Sequence, residues 1–421
     1  MKKENYVVIG NSYVSQKIKK NNMNFFYIGR HRNDMDFNEF FELPLEDRFN
    51  VEEYEQSIKD ILDFCKKIQN NYGTIHYVLA NTEQTLLVGA IIRDTFCISG
   101  RRFEELIPFR NKFIMQEKIF KSKVLKKKKF ISGDNVHVDF IKDIVRDYFL
   151  NKFPIVIKPC SQAGSRNVFF VNELHELINK INLFKKESIE FLLEEFISDS
   201  IIHIDGVYRN GELKFIIAFR YIKDCLSWHK KGTPMSSIII NDNKKIKEIC
   251  RFTKEVLRNL NSNNVVFHLE AFMSVQGELT FLEIGARPGG AAIVPCVKKI
   301  FGVDLLEESL KIELNQETSL LNSGYISDKY EKNYAGWTVL PLKEKEYCVI
   351  ENIYGLDKLP KEVKWLDYVD ENQEFNKFYF EDPAIGKFVI QAESEDEVIK
   401  IINNIENDVF IKAKKIHDVH I

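Results

Sequence analysis

The stretch from residue 265 to residue 290 constrains the fold and chemistry of this chain more than any other. It reads VVFHLEAFMSVQGELTFLEIGARPGG. Val265 to Met273 and Leu279 to Ile284 are rich in β-branched and aromatic residues, which favour strands. The Gln276-Gly277 pair between them supplies a flexible turn. The stretch therefore predicts a β-hairpin.

Each predicted strand of this hairpin carries a carboxylate, Glu270 on the first and Glu283 on the second. Because side chains alternate faces along a strand, we expect Glu270 to share a face with His268, and Glu283 with Phe281. Pairing around the turn would bring the two carboxylates together. Convergent carboxylates suit Mg²⁺, which prefers oxygen ligands, whereas a surface hairpin would simply present them to solvent. The hairpin alone leaves both interpretations open.

The composition is that of an ordinary globular protein and argues against several classes. The chain has 421 residues, of which 44% are hydrophobic, enough for about two to four domains. Its 60 basic and 62 acidic residues lack the basic excess typical of nucleic-acid-binding proteins. The seven cysteines are scattered without a CxxC pair, and no apolar run approaches a signal peptide or membrane span. We expect a cytoplasmic protein that binds neither nucleic acid nor membrane.

The N-terminal part of the chain predicts a small parallel α/β layer. Strands are predicted at Tyr6 to Gly10, Phe25 to Gly29 and His76 to Ala80, and a helix at Thr85 to Phe96. The Asn11-Ser12 pair after the first strand could meet a ligand, but a plain strand-to-helix turn is the simpler interpretation.

A helix is predicted next, from Asn111 to about Lys129. The run Lys126 to Lys129 fits a solvated helix end, because lysines interact favourably with the C-terminal end of the helix dipole. This interpretation requires no ligand for the run.

Two later stretches suit a nucleotide. Lys158 lies near the end of the strand Phe153 to Pro159, before the polar loop Ser161 to Asn167. Backbone N–H groups of such a loop can hold phosphate oxygens. An exposed turn beside a surface lysine is consistent with the same sequence. The strand Phe191 to Ile197 contains two acids, and its main chain could pair with the edge of adenine.

The chain after the hairpin predicts a helical region toward Leu314 and a small α+β unit from Tyr334 to Ile421. This unit includes a strand at Lys377 to Phe380 and a helix at Ser394 to Glu406. No internal repeat is visible.

Four landmarks, in this order, resemble the ATP-grasp superfamily of carboxylate ligases. They are Lys112 in NKFIM, Lys158 in VIKPCSQAGS, the acidic hinge LLEEFI, and EIGARPGG at the end of the hairpin. The text around His268 and around Arg287-Pro288-Gly289-Gly290 looks most like the L-amino acid ligase branch. The resemblance covers roughly Arg110 to Leu314.

The resemblance implies an α/β and α+β multidomain protein with an ATP-grasp fold. An N-terminal Rossmann-like parallel α/β domain would span 1–109, and the ATP-grasp domain would span 110–315, with a lid at about 120–193. A small C-terminal α+β domain would span 330–421.

The resemblance also assigns roles to individual residues. Those expected to bind ATP are Lys112, Lys158, Ser161, Gly164, Ser165, Glu194, Glu195, Phe196 and Ile197. Glu270 and Glu283 would hold Mg²⁺, or Mn²⁺ in its place, and Arg287 would stabilise the transferring phosphoryl group or the substrate carboxylate. The candidates for substrate contact are Arg220, His268, Gly289 and Gly290.

The implied activity is ligation of a carboxylate, expected to come from an amino acid, to an amine. The carboxylate would be activated as an acyl phosphate, with release of ADP and phosphate. A thiol acceptor such as a carrier protein is one alternative, and a non-catalytic ATP-binding module is another. A homodimer is left open.

Two positions depart from the family pattern. Gly285 stands where many members have a metal-binding Asn, and Asp199 or Asp205 would have to replace the acid that binds ribose. Neither departure removes the predicted carboxylates or lysines.

Overall fold

The computed structural model describes residues 3–10, 23–29, 37–43, 51–318, 320, 333–342, 348–370, 372–375 and 384–415. Its strands, in chain order, are β1 (Glu4–Ile9), β2 (Met23–Gly29), β3 (Glu39–Glu42), β4 (Ile75–Leu79), β5 (Phe130–Ser132), β6 (Ile155–Pro159), β7 (Phe169–Val171), β8 (Phe191–Glu195), β9 (Ser200–Arg209), β10 (Glu212–Lys223), β11 (Met235–Ile239), β12 (Val265–Met273), β13 (Leu279–Gly285), β14 (Tyr334–Pro341), β15 (Cys348–Tyr354), β16 (Val363–Tyr368), β17 (Glu374–Phe375), β18 (Ala384–Ala392) and β19 (Phe410–Lys415). The α-helices are Val51–Gln56, Ile58–Tyr72, Leu86–Thr95, Phe103–Leu106, Lys112–Phe120, Ile141–Asp143, Leu174–Lys186, Cys225–Lys231, Asn243–Asn259, Ile293–Phe301, Leu305–Glu313 and Glu395–Asp408.

The N-terminal strands form a parallel sheet in the order β3-β2-β1-β4, as the sequence predicts. Both faces are covered, which explains the nearly continuous apolar runs of β1 and β2. One face packs against the helices Ile58–Tyr72 and Leu86–Thr95. Tyr6 and Val8 on the other face pack against Leu310 and Leu314, at the end of a much later helix. The Asn11-Ser12 pair lies outside the described residues.

A four-stranded antiparallel sheet follows, in the order β5-β8-β6-β7. Leu177 and Ile181 of the helix Leu174–Lys186 pack on its apolar face. The prediction that the helix starting near Asn111 continues to about Lys129 is wrong. The helix ends at Phe120, and the lysine run lies in a non-helical segment before β5.

The largest sheet has eight strands in the order β13-β12-β9-β10-β11-β14-β18-β16. The helices Asn243–Asn259, Ile293–Phe301 and Leu305–Glu313 contribute Val256, Val297 and Leu305 to the core beneath it. This sheet carries the predicted hairpin, β12 and β13, at one edge.

The C-terminal strands are divided between the eight-stranded sheet and a smaller sheet. β14 pairs with β11, and β18 and β16 extend the same sheet, while β17, β15 and β19 form a smaller one. Strands on both sides of the predicted domain boundary near residue 330 therefore belong to the same sheet. The boundary itself stays a prediction. The predicted C-terminal helix is present as Glu395–Asp408, and the strand predicted at Lys377 to Phe380 lies outside the described residues. None of the helices in the described part of the chain has the length and apolar character of a membrane span.

Candidate active site

The hairpin places the two acids of interest side by side. β12 and β13 are antiparallel, and Glu270 is the register partner of Glu283, which confirms the predicted convergence. The turn is closed by Gly277, whose φ of 87° requires glycine-like freedom and whose N–H donates to the Ser274 carbonyl at 2.9 Å.

One detail of the predicted hairpin is wrong. The register shifts between Glu270 and Ala271, so Phe281 pairs with Ala271 and both are buried in the core, whereas Glu283 stays beside Glu270. A β-bulge inserts an additional residue and re-aims the side chains on either side of it. Phe281 and Glu283 therefore do not share a face.

Glu270 and Glu283 are in contact with hydrogen-bond donors and cationic side chains. The Tyr221 hydroxyl donates to Glu270 Oε1 at 2.8 Å, and Lys112 Nζ lies 3.6 Å from Glu283 Oε2. Burial raises the pKa of Glu270, but His268 and Tyr221 outweigh burial and lower it. Like charges directly opposite each other on paired strands repel, and a divalent cation between them would offset that repulsion. The oxygen donors present fit Mg²⁺ or Mn²⁺.

A cavity of about 420 Å³ lies between the four-stranded antiparallel sheet, β5-β8-β6-β7, and the eight-stranded sheet. This volume is in the range of small-molecule sites. The charged residues that line it are Lys112, Lys128, Lys158, Arg166, Glu194, Glu195, Asp199, Asp224, Glu270 and Glu283. Apolar side chains, including Val156, Phe170, Ile222 and Phe272, complete the lining.

Lys128 is a lining residue that the sequence interpretation missed. Within the run of lysines, Lys126 is exposed and pairs with Glu278 at 2.9 Å, as expected of a solvated residue. The expectation is wrong for Lys128, whose side chain is only 1% exposed and lies 2.9 Å from Glu194 Oε2. Burial lowers the pKa of Lys128 to about 8, in spite of Glu194. Four identical residues in a row carry no local signal of which one is buried.

Lys158 also contacts Glu194, and the segment predicted to bind adenine follows Glu194 in the chain. Lys158 Nζ lies 2.8 Å from Glu194 Oε2. Beyond the end of β8, Phe196 and Ile197 line the cavity, and the Phe196 ring lies edge-on to Phe170, with centroids 5.6 Å apart. The Glu195 carboxylate accepts a bond from the Lys129 N–H at 2.7 Å.

The loop Ser161 to Asn167 is held at its start. The Arg110 guanidinium donates to the Ser161 carbonyl at 2.7 Å, and Lys112 Nζ donates to the Gln162 carbonyl at 2.5 Å. Gly164 and Ser165 line the cavity and both have positive φ, 66° and 58°, whereas Ser161 is not among the lining residues.

Arg287 depends on an acid from the N-terminal part of the chain. Glu83, in the turn after β4, is held between the guanidinium groups of Arg110 and Arg287. Burial raises the pKa of Glu83, but the two arginines outweigh burial and lower it to about 2. A Cβ added at Gly285 would lie 3.2 Å from Glu83 Oε2, so the absent side chain leaves room for this acid. Nothing local in the sequence singles out Glu83, because the hydrogen bond joins residues 204 positions apart.

A second polar network supports Glu270 from beneath. The fully buried Asp205 pairs with His203 Nδ1 at 2.7 Å and with His268 Nδ1 at 2.9 Å. Burial lowers the pKa of His268, but Asp205 and Glu270 outweigh burial and raise it to about 10. A Cβ added at Gly289 would lie 2.6 Å from Asp205 Oδ1, which explains a glycine there.

Other predicted contacts lie elsewhere or in open space. Arg220 pairs with Glu395 at 2.9 Å, and it faces the side of β10 opposite to Tyr221. An added Cβ at Gly290 would have nothing within 4 Å. Of the two acids considered for ribose, Asp199 lines the cavity, whereas Asp205 is committed to the two histidines.

Comparisons with known proteins show which families and proteins this chain resembles. Residues 151–295 match the family model of the ATP-grasp domain. The chain is 25% identical over 358 residues to an L-arginine-specific L-amino acid ligase of Bacillus subtilis, covering 82% of each chain. It is 25% identical over 240 residues to dapdiamide A synthase of Enterobacter agglomerans, covering 54% of each chain.

The whole fold also has a solved counterpart. The crystal structure of an L-amino acid ligase from Bacillus licheniformis matches with a TM-score of 0.70 and 16% identity, covering 98% of this chain and 99% of that chain. The domain match, the ligase relatives and the shared fold together support an ATP-dependent carbon–nitrogen ligase with an ATP-grasp domain match at residues 151–295, similar to the L-amino acid ligases.

Proposed function

We propose that this protein activates the carboxylate of one amino acid with ATP, as an acyl phosphate, and couples it to the amine of a second amino acid. ADP and phosphate are the other products. The observation that carries the proposal is the pairing of Glu270 with Glu283 at a cavity that also contains Lys112 and Lys158.

In this proposal the lysines and the hinge bind the nucleotide. Lys112 and Lys158 neutralise phosphate oxygens, and the main chain at Phe196 and Ile197 meets the adenine edge, beside the rings of Phe170 and Phe196. Phosphoryl transfer is promoted chiefly by positioning and charge neutralisation, and these residues supply both.

Glu270 and Glu283 would hold the divalent metal. When bound, Mg²⁺ neutralises charge on the triphosphate and orders its oxygens. The hydroxyl of Tyr221 and the cationic His268 keep Glu270 ionised and hold its carboxylate in place.

Arg287 would stabilise the charge that develops as the phosphoryl group moves to the substrate carboxylate. It lies two residues after the end of β13, and its contact with Glu83 limits its rotamers. The assignment of amino acids as substrates is supported by the names of the relatives, which include an L-amino acid ligase and an alanine–anticapsin ligase.

The test is incubation of the purified protein with ATP, Mg²⁺ and mixtures of amino acids. We expect ADP and phosphate to form together with new masses equal to two amino acids less one water. AMP and pyrophosphate would contradict the acyl-phosphate route. Amino-acid-dependent ATP consumption that yields a product only after a thiol is added would favour the thiol acceptor instead.

A further inference from the structure

Glu194 carries two lysines on a single carboxylate oxygen. Lys128 Nζ and Lys158 Nζ lie 2.9 Å and 2.8 Å from Glu194 Oε2. The three side chains are 1%, 5% and 3% exposed, so solvent screens this cluster weakly. All three residues line the cavity between the two sheets.

The charge of this trio differs from that of a simple buried pair. Lys158 and Glu194 alone would form a neutral pair, and a phosphate would have to compete with the carboxylate for the lysine. The addition of Lys128 gives the trio a net charge of plus one. Lys128 also approaches the Leu282 carbonyl at 3.4 Å, which anchors it to β13.

We propose that Lys128 is a positioning residue of the nucleotide site: by sharing Glu194 Oε2, it leaves the charge of Lys158 available to the nucleotide phosphates. This inference rests on the proposed function to the extent that it takes the cavity to be the ATP site. It adds to that function a residue that acts through Glu194 and Lys158 rather than by its own contact with the reacting atoms.

The primary test is the affinity for MgATP of the Lys128→Met variant, measured by titration calorimetry. Met is close to Lys in shape and removes the ammonium group, with its contacts to Glu194 and the Leu282 carbonyl, and Glu194 keeps Lys158 as a partner, so no buried charge is left unpaired. We expect MgATP to bind about tenfold more weakly, while adenosine binding changes less than about threefold, because Glu194 then pairs with Lys158 alone and less of the Lys158 charge is available to the phosphates. The matched control is Lys127→Met, since Lys127 lies over the Phe120 ring and outside the cavity lining.

A double-mutant cycle separates this role from a merely structural one. In a Glu194→Gln background no carboxylate competes for Lys158, so Lys128→Met should then weaken MgATP binding by less than about threefold. The same loss in both backgrounds, an equal loss for adenosine, or unchanged MgATP affinity in the single variant would overturn the inference. Thermal denaturation checks each fold, and Lys128→Gln replaces Lys128→Met if the latter does not fold. A wild-type protein that does not bind MgATP would overturn the proposed function as well, which distinguishes the two failures.

Discussion

Glu83, in a turn of the N-terminal part of the chain, forms an ion pair with Arg287. A largely buried carboxylate between two guanidinium groups is stable only while its partners remain, and each partner is oriented by it in turn. The structure places this acid in the space that a side chain at position 285 would take. The departure from the family pattern at Gly285 thus has a physical counterpart nearby.

We predict that Glu83→Gln lowers kcat at least about tenfold, because the neutral amide no longer fixes the charged guanidinium of Arg287. The KM for ATP should change little, since Glu83 is not among the residues that line the proposed nucleotide cavity. Steady-state kinetics measure both. Glu278→Gln is the matched control, because Glu278 is exposed and pairs only at the surface with Lys126. An unchanged kcat in the Glu83 variant would show that Arg287 needs no such support.

Gly289 and Gly290 offer a test of the buried network at the level of single atoms. We predict that Gly289→Ala lowers the free energy of unfolding by about 1–3 kcal/mol, because its Cβ would overlap Asp205 Oδ1 and His268 Nδ1, at 2.6 Å and 2.8 Å. Gly290→Ala should be neutral or nearly so, since its Cβ meets nothing within 4 Å. Chemical denaturation of both variants measures the difference. Equal stability of the two would place Gly289 away from Asp205.

At the scale of elements, the sequence predicts those helices and strands whose formation depends on local periodicity. The hairpin, the parallel N-terminal strands and the C-terminal helix follow from alternation, turn residues and apolar spacing. The bulge at Glu270 does not, because it depends on how β12 pairs with its neighbour. The end of the helix at Phe120 also depends on tertiary contacts. Lysine is a good helix former, but the buried contact of Lys128 with Glu194 places the lysine run in a non-helical segment.

The loop Ser161 to Asn167 should respond to nucleotide in two parts. Its first two carbonyls are already bonded by Arg110 and Lys112, whereas Gly164 and Ser165 face the cavity. We predict that amide hydrogen exchange slows at 163–167 on addition of Mg²⁺ and a non-hydrolysable ATP analogue, because the N–H groups then bond phosphate oxygens. Exchange in the helix Ile58–Tyr72 provides the internal control. Equal protection with and without the analogue would make the loop a fixed structural hairpin.

At the scale of the whole molecule, the ordered landmarks identified the ATP-grasp fold, but the contacts between distant segments could not be predicted. The helix Leu305–Glu313 packs against the N-terminal sheet, and Glu313 pairs with Arg93 inside that contact at 2.7 Å. The C-terminal strands complete the sheet that carries the hairpin. Such pairings depend on shape and charge complementarity across large sequence separations, which leaves no periodic signal in either segment.

The most direct test is amino-acid-dependent phosphate release by the wild-type protein and by Glu283→Gln, at saturating ATP and Mg²⁺. We expect the wild type to release phosphate in proportion to the dipeptide formed. We expect Glu283→Gln to lose at least about a hundredfold in rate while its thermal stability is retained, because the carboxylate opposite Glu270 is lost from the proposed metal site. A Glu283→Gln variant that turns over at close to the wild-type rate would contradict the assignment of the hairpin as the catalytic centre.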